Sequence, residues 1–302
     1  MESIRMLEAG KDSLAHYQIY VHLPYIRLAD PALEIEYESG LLRSLDYAEW
    51  KPLDQEAAHS VRFAFERTRP AFFVLEASST REHETARSEV HNLYLALVFS
   101  TGTHIPAPSK SISYMKTGRS ISRHVGIFDR AAVLHGPTRL VIDHAAIEHA
   151  ATLVPLIREC GELLEAPEFR QILRTLTSTA TDNFHAIDGI VSCVIALEGL
   201  LLKNILSGIT AKFIKRTCNL IMASEKAPAT LEANIETLYS LRSDALHGRD
   251  WKQSLSQTSK TDAQWFDYAK QVLCRAALAT LTSLKTRKDV GAALDELRAT
   301  LD

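Results

Sequence analysis

The sequence predicts an α+β chain, in which a mixed, β-rich N-terminal domain over residues 1–143 precedes an all-helical bundle over residues 144–302. Three observations carry this. Apolar and polar residues alternate in Tyr17-Gln-Ile-Tyr-Val-His-Leu23 and in Leu33-Glu-Ile-Glu-Tyr37, the two-residue period of strands with one wet face. That alternation stops near residue 144, and from there apolar residues recur at helical intervals to the end. At 302 residues, with 46% hydrophobic and 24% charged, the chain has the length for two domains and the balance of an ordinary globular protein.

Taken in order, Tyr17–Leu23 and Leu33–Tyr37 are strands by their alternation. Ala71-Phe-Phe-Val-Leu75 is a short apolar run after Pro70, the pattern of a buried strand. Arg81 to Phe99 is charged early and rich in Leu and Val late, which predicts a helix. Thr101 to Lys116 holds two prolines and many hydroxyl residues and is expected to be loop with room for a strand. Ser120–Phe128 and Thr138–Ile142 are further strand candidates. Helices are expected near 144–163, 168–180, 182–204, 209–223, 229–247, 262–286 and 289–300. Pro167 and Pro228 stand near helix starts, and Gly248 stands just past a helix end.

Several function classes are disfavoured by composition. The net charge of -3 gives no global attraction to nucleic acid, so any such site must be a local basic patch. The four cysteines, at 160, 193, 218 and 274, form no CxxC pair and read as buried free thiols. The first residues lack an apolar leader core, and the most apolar run, Ile187–Leu202, carries Asp188 and Glu198 and is short for a bilayer. A cytoplasmic protein with no membrane partner is expected. No Gly-rich phosphate loop occurs. Ser113-Tyr-Met-Lys116 fits S-x-x-K but lacks the companion motifs of a serine hydrolase.

One pattern carries chemistry. Arg242-Ser-Asp-Ala-Leu-His247 is an R-x4-H motif. The bare pattern is uninformative: 21 Arg and 12 His in 302 residues give 21 × 12 / 302, or about one, by chance, and the chain has four. The others are Arg119–His124, Arg130–His135 and Arg139–His144, in strand-like, loop or boundary sequence. Only Arg242 lies inside a long helical pattern. At about 100° per residue, Leu231, Ile235, Leu238, Tyr239, Arg242 and Leu246 share one stripe. An arginine on an apolar stripe must find a partner or line a cavity, because burying it alone is costly. His247, roughly 140° further round, sits at the helix end, where Gly248 lets the chain turn. The helix over Ile187–Leu202 has the complementary oddity, since Glu198 points into the arc built by Ile187, Ile190, Val191, Val194, Leu197, Leu201 and Leu202. Glu198 is therefore expected to orient Arg242 or His247.

Val194-Ile-Ala-Leu-Glu-Gly-Leu-Leu202, followed some forty residues later by Tyr239-Ser-Leu-Arg-Ser-Asp-Ala-Leu-His-Gly248, resembles the Apea-like branch of the HEPN superfamily over roughly residues 144–290. The resemblance implies an all-α HEPN-type bundle and a metal-independent endoribonuclease with Arg242 and His247 as the catalytic pair. Ser243, Asp244, Glu198 and Tyr239 would support them. Many HEPN motifs carry Asn, Asp or His after the arginine, where this chain has Ser243. Another branch has a modifiable Tyr two residues after the histidine, where this chain has Arg249.

The chemistry agrees with that implication. RNA carries its own nucleophile, the 2′-hydroxyl. Cleavage needs a base, an acid for the 5′-oxygen and positive charge on the phosphorane. Histidine exchanges protons near neutral pH, and arginine presents a fixed fork of donors to phosphate. One histidine cannot serve easily as base and acid in the same step, and a two-fold homodimer would bring two motifs into one cleft, as HEPN domains typically do. Lys212, Lys215, Arg216, Arg249 and Lys252 are candidates for the RNA backbone. No cofactor or metal is expected, and the N-terminal domain is expected to take a trigger ligand or protein. The rival readings are a non-catalytic module that binds RNA, nucleotide or a protein, and a dimerisation protein in which Glu198–Arg242 only fixes helix register.

Overall fold

The computed structural model describes residues 17–23, 26–30, 32, 34–37, 40–44, 71–77, 82–102, 112–117, 120–125, 140–177, 185–203, 205–226, 228–285 and 287–302. The chain divides into two compact units, one of residues 1–24, 31–90 and 110–127, the other of 25–30, 91–109 and 128–302.

The first unit holds a six-stranded antiparallel sheet. Its strands are β1 (Tyr17–Leu23), β3 (Glu34–Tyr37), β4 (Gly40–Ser44), β5 (Ala71–Ala77), β6 (Ile112–Thr117) and β7 (Ser120–Val125), in the order β3-β4-β5-β1-β6-β7. β1 lies between β5 and β6, with Tyr20 opposite both Val74 and Tyr114. Tyr20 and Val74 are buried on one face, and Ile35 and Leu42, paired with each other, are buried on the opposite face.

The second unit contains a parallel pair, β2 (Ile26–Leu28) with β8 (Leu140–Ile142), and most of the helix. α1 (Glu82–Thr101) contributes its residues from 91 onward, with Leu93 to Phe99 all buried. The remaining helices are α2 (His144–Glu159), α3 (Gly161–Leu164), α4 (Pro167–Thr177), α5 (Ala186–Leu201), α6 (Ile209–Ser224), α7 (Leu231–Leu246), α8 (Trp251–Ser256), α9 (Asp262–Leu284) and α10 (Val290–Thr300).

Helix ends follow from local chemistry. Asp143, Asp250 and Asp289 cap α2, α8 and α10 by accepting from main-chain N–H groups. Thr261 and Gln264 form a reciprocal capping box on α9. Pro167 opens α4, where its missing N–H costs nothing. α5 is the centre of the bundle and packs on α4, α7 and α9. A helix clothed on this many sides buries most of its circumference, including Cys193, Ala196 and Leu200 outside the expected arc, and leaves one exposed stripe of Asp188, Ser192, Ile195 and Gly199. Its facing helix α9 buries Ala269, Ala276, Ala277 and Ala279, small side chains that let two helix backbones come close.

The class stands as helix plus sheet, with helix predominant and a small antiparallel sheet. A β-rich domain over 1–143 does not stand as expected. α1 interrupts its strands, and residues 25–30 and 91–102 cluster with the helical unit. Val141 and Ile142 likewise pair with β2 there. All four cysteines are free and buried, as expected. Burial pushes their thiols up, to about 12 for Cys193 and Cys274 and about 11 for Cys160 and Cys218. Among the described residues, no helix is long and apolar enough to cross a membrane.

Candidate functional site

The site is built where α5 meets α7. Glu198 lies on the last turn of α5 and Arg242 on the last turn but one of α7. The Arg242 Nη2 donates to Glu198 Oε2 at 2.6 Å, and the two side chains are 19% and 16% exposed. A short charge-assisted bond with restricted water access holds the guanidinium firmly. Its carbon lies 5.7 Å from the centre of the Tyr239 ring. Tyr239 in turn packs on Phe213 of α6, ring centres 4.9 Å apart. The Arg242 Nε is buried and has no hydrogen-bond partner among the described residues. A buried donor left open is costly.

His247 closes α7 as its C-cap and is exposed. Beyond it the chain makes a Schellman turn: Gly248 adopts φ +66°, its N–H donates to Ala245 O, and the Arg249 N–H donates to Asp244 O at 2.8 Å. Five residues of helix put His247 about 7.5 Å along the axis from Arg242. The stripe on α7 differs from expectation at its end. Leu241 is buried, whereas Leu246 is 50% exposed, because the last turn projects past the bundle.

Asp244 serves α8 and not the histidine. Its Oδ2 accepts from Ser254 Oγ at 2.6 Å and its Oδ1 lies 3.6 Å from Arg249. Ser243 is half-buried, and its carbonyl accepts the His247 N–H at 3.0 Å.

The expected RNA-binding cations divide. Lys212, Lys215, Arg249 and Lys252 are exposed. Arg216 is not part of an open track: it is 6% exposed, and its guanidinium donates to both Asp302 carboxylate oxygens, at 2.8 and 2.6 Å, and to Leu201 O at 2.6 Å. Lys215 also reaches the Asp302 main-chain oxygen. The hydrogen bond from Arg216 holds the Asp302 carboxyl below its ordinary value; desolvation opposes this, and the charges of Arg216, Lys212 and Lys215 add to it.

Sequence reasoning missed the device that fixes the end of α5. The carbonyls of its last turn take a Leu202 N–H at Glu198 O, the Arg216 guanidinium at Leu201 O and Arg298 Nε at Leu200 O, the last at 2.8 Å. Two cations at a helix C-terminus also oppose the dipole there. Arg298 is 4% exposed and further bonded to Glu168, at 3.1 Å, and to Asp295. No signal local to α5 could have identified a partner 98 residues away.

Of the rival motifs, Arg119, Arg130, His135 and Arg139 lie outside the described residues. His144 begins α2 and lies 3.3 Å from Glu148. A cavity of about 430 Å³, lined by Phe99, His149, Gln271 and Arg275 among others, includes no residue of the Arg242–His247 motif. No group of three His, Cys, Asp or Glu able to hold a metal occurs among the described residues. Comparison with protein-family models, with curated proteins and with solved structures found no match for this chain.

Proposed function

We propose that the chain is a metal-independent endoribonuclease of the HEPN type, with Arg242 and His247 as its catalytic pair and an active site completed by a second copy. The observation that carries this reading is the recessed Arg242, gripped by Glu198 at 2.6 Å with its Nε unsatisfied, one turn and a half below an exposed histidine on the same helix. The guanidinium would take the non-bridging oxygens of the scissile phosphate as negative charge grows there. One His247 would accept the 2′-hydroxyl proton and the partner copy's would protonate the 5′-oxygen. In this reading the helical unit is an HEPN-type bundle, the N-terminal residues sense a trigger ligand or protein, and the protein acts in the cytoplasm in antiviral defence or stress response.

The alternative is a non-catalytic HEPN module that binds RNA, nucleotide or a protein partner. Ser243 after the arginine favours it, as does the carboxylate already seated on Arg242. Incubating the purified chain with RNA and EDTA, beside His247→Ala and Arg242→Ala, separates the two. Cleavage that survives chelation and disappears in both variants supports the enzyme. Retained binding without cleavage in the unsubstituted chain replaces it with the module.

A further inference from the structure

α8 follows the motif at once and is clipped to α7 by the Ser254–Asp244 hydrogen bond, so Trp251 is held in a fixed relation to His247. The two are four positions apart in the chain, a span of at most ~14 Å. α8 buries none of its residues. Trp251 is half-buried, and its indole N–H has no partner among the described residues. Trp265 differs: it is 2% exposed and donates to Thr258 Oγ1 at 3.0 Å. The core therefore uses Trp265 and leaves Trp251 at the surface. Around Trp251 stand cations: the Lys252 Nζ lies 5.7 Å from its ring centre, and the Arg249 side chain is 67% exposed. The α8 N-terminus itself is filled by Asp250, which accepts from the Lys252 N–H, so recognition there falls to side chains.

We propose that Trp251 is a stacking platform for an unpaired nucleobase beside the scissile phosphodiester, with Lys252 and Arg249 on the flanking phosphates. This rests on the endoribonuclease reading and sharpens it. An indole face accepts any base that is free of its own stack, and a base inside a duplex must first be extruded. Trp251 would thus confine cleavage to unpaired stretches.

The test uses a short, labelled oligonucleotide with 2′-O-methyl riboses, which lacks the free nucleophile and binds uncut, together with its duplex. Affinities are measured for the full chain, Trp251→Ala, Trp251→Phe, Lys252→Ala and Arg249→Ala. Trp251→Ala is expected to weaken binding of the unpaired strand on the order of tenfold to a hundredfold. Duplex binding should stay within about twofold, and Trp251→Phe should retain most of the affinity. Each cation variant should weaken both ligands and lower the salt slope by about one. A folded Trp251→Ala that binds both strands like the unsubstituted chain overturns the platform, even if RNA is cleaved, and so does a folded Trp251→Phe that binds the unpaired strand as weakly as a variant with no aromatic ring. Trp251-dependent binding with no RNA cleavage leaves the platform standing and removes the nuclease. Failure of the unsubstituted chain to bind the unpaired strand removes the platform.

Discussion

The Glu198–Arg242 pair is strong because it is sheltered, and the same shelter makes each half a liability without the other. Both side chains are more than four-fifths buried and meet at 2.6 Å. An exposed pair contributes about 0–1 kcal/mol, whereas removing one member of a buried pair costs about 3–5 kcal/mol. The residual exposure and the unsatisfied Arg242 Nε set this pair below the upper figure. Glu198→Leu and Arg242→Leu are each expected to destabilise by about 2–3 kcal/mol, because each leaves a partly buried charge uncompensated. For a unit of this size that corresponds to a fall in Tm of roughly 4–12 °C. The double Leu variant should return to within about 1 kcal/mol of the unsubstituted chain, since it removes both charges and adds apolar contact. Equilibrium urea unfolding followed by far-UV circular dichroism completes the cycle, with a coupling of about 2 kcal/mol or more expected. Single substitutions that each cost under about 0.5 kcal/mol and add in the double variant would refute the claim that the pair is sheltered and coupled.

Arg298→Met removes the guanidinium from Leu200 O and Glu168 in a site 4% exposed, so a loss of about 3–5 kcal/mol is expected in the same unfolding assay. Gly248→Ala meets no atom within 4 Å, so its cost is that of an L-residue at φ +66° alone, about 1 kcal/mol, read as a drop in Tm of a few degrees. Native thiols should resist a disulfide-exchange reagent near neutral pH until the chain is unfolded, because burial keeps all four protonated. The sign for stability follows: the unfolded thiols deprotonate first, near 9, so this contribution is whole below pH 9 and is lost as pH rises toward 11 and 12. A urea midpoint that stays flat from pH 8 to pH 11 would contradict it.

What was legible in the sequence was what a helix writes locally. A carboxylate among Val194, Leu197 and Leu201, and a guanidinium after Ile235 and Leu238, are visible as polar residues on apolar arcs, and the structure joins them. Gly248 was legible because a left-handed residue must follow α7. Arg216 was misread because its neighbours Lys212 and Lys215 are surface cations, while its own partners are a main-chain oxygen and a distant carboxylate, neither of which leaves a mark nearby. β4, Gly40-Leu-Leu-Arg-Ser44, was missed because two adjacent leucines hide the two-residue period. β6 was expected only as an unplaced strand within a loop, because Pro106 and Pro108 dominated a stretch whose Ile-Ser-Tyr-Met alternates. α8 is six residues long, too short for any period to register. Two domains were expected, but the interleaving of their segments could not be read, because it depends on β2 pairing with β8 more than a hundred residues later.

The arginine that closes the end of α5 has a consequence in time. Arg298 is made well after Arg242, and at typical translation rates of 5–20 residues per second the interval is on the order of several seconds. During that interval Leu200 O, two residues from Glu198, lacks the side-chain donor that later closes it. Docking of α10 brings Arg298 to Leu200 O, so the turn of α5 that bears Glu198 receives its last partner only when the bundle closes.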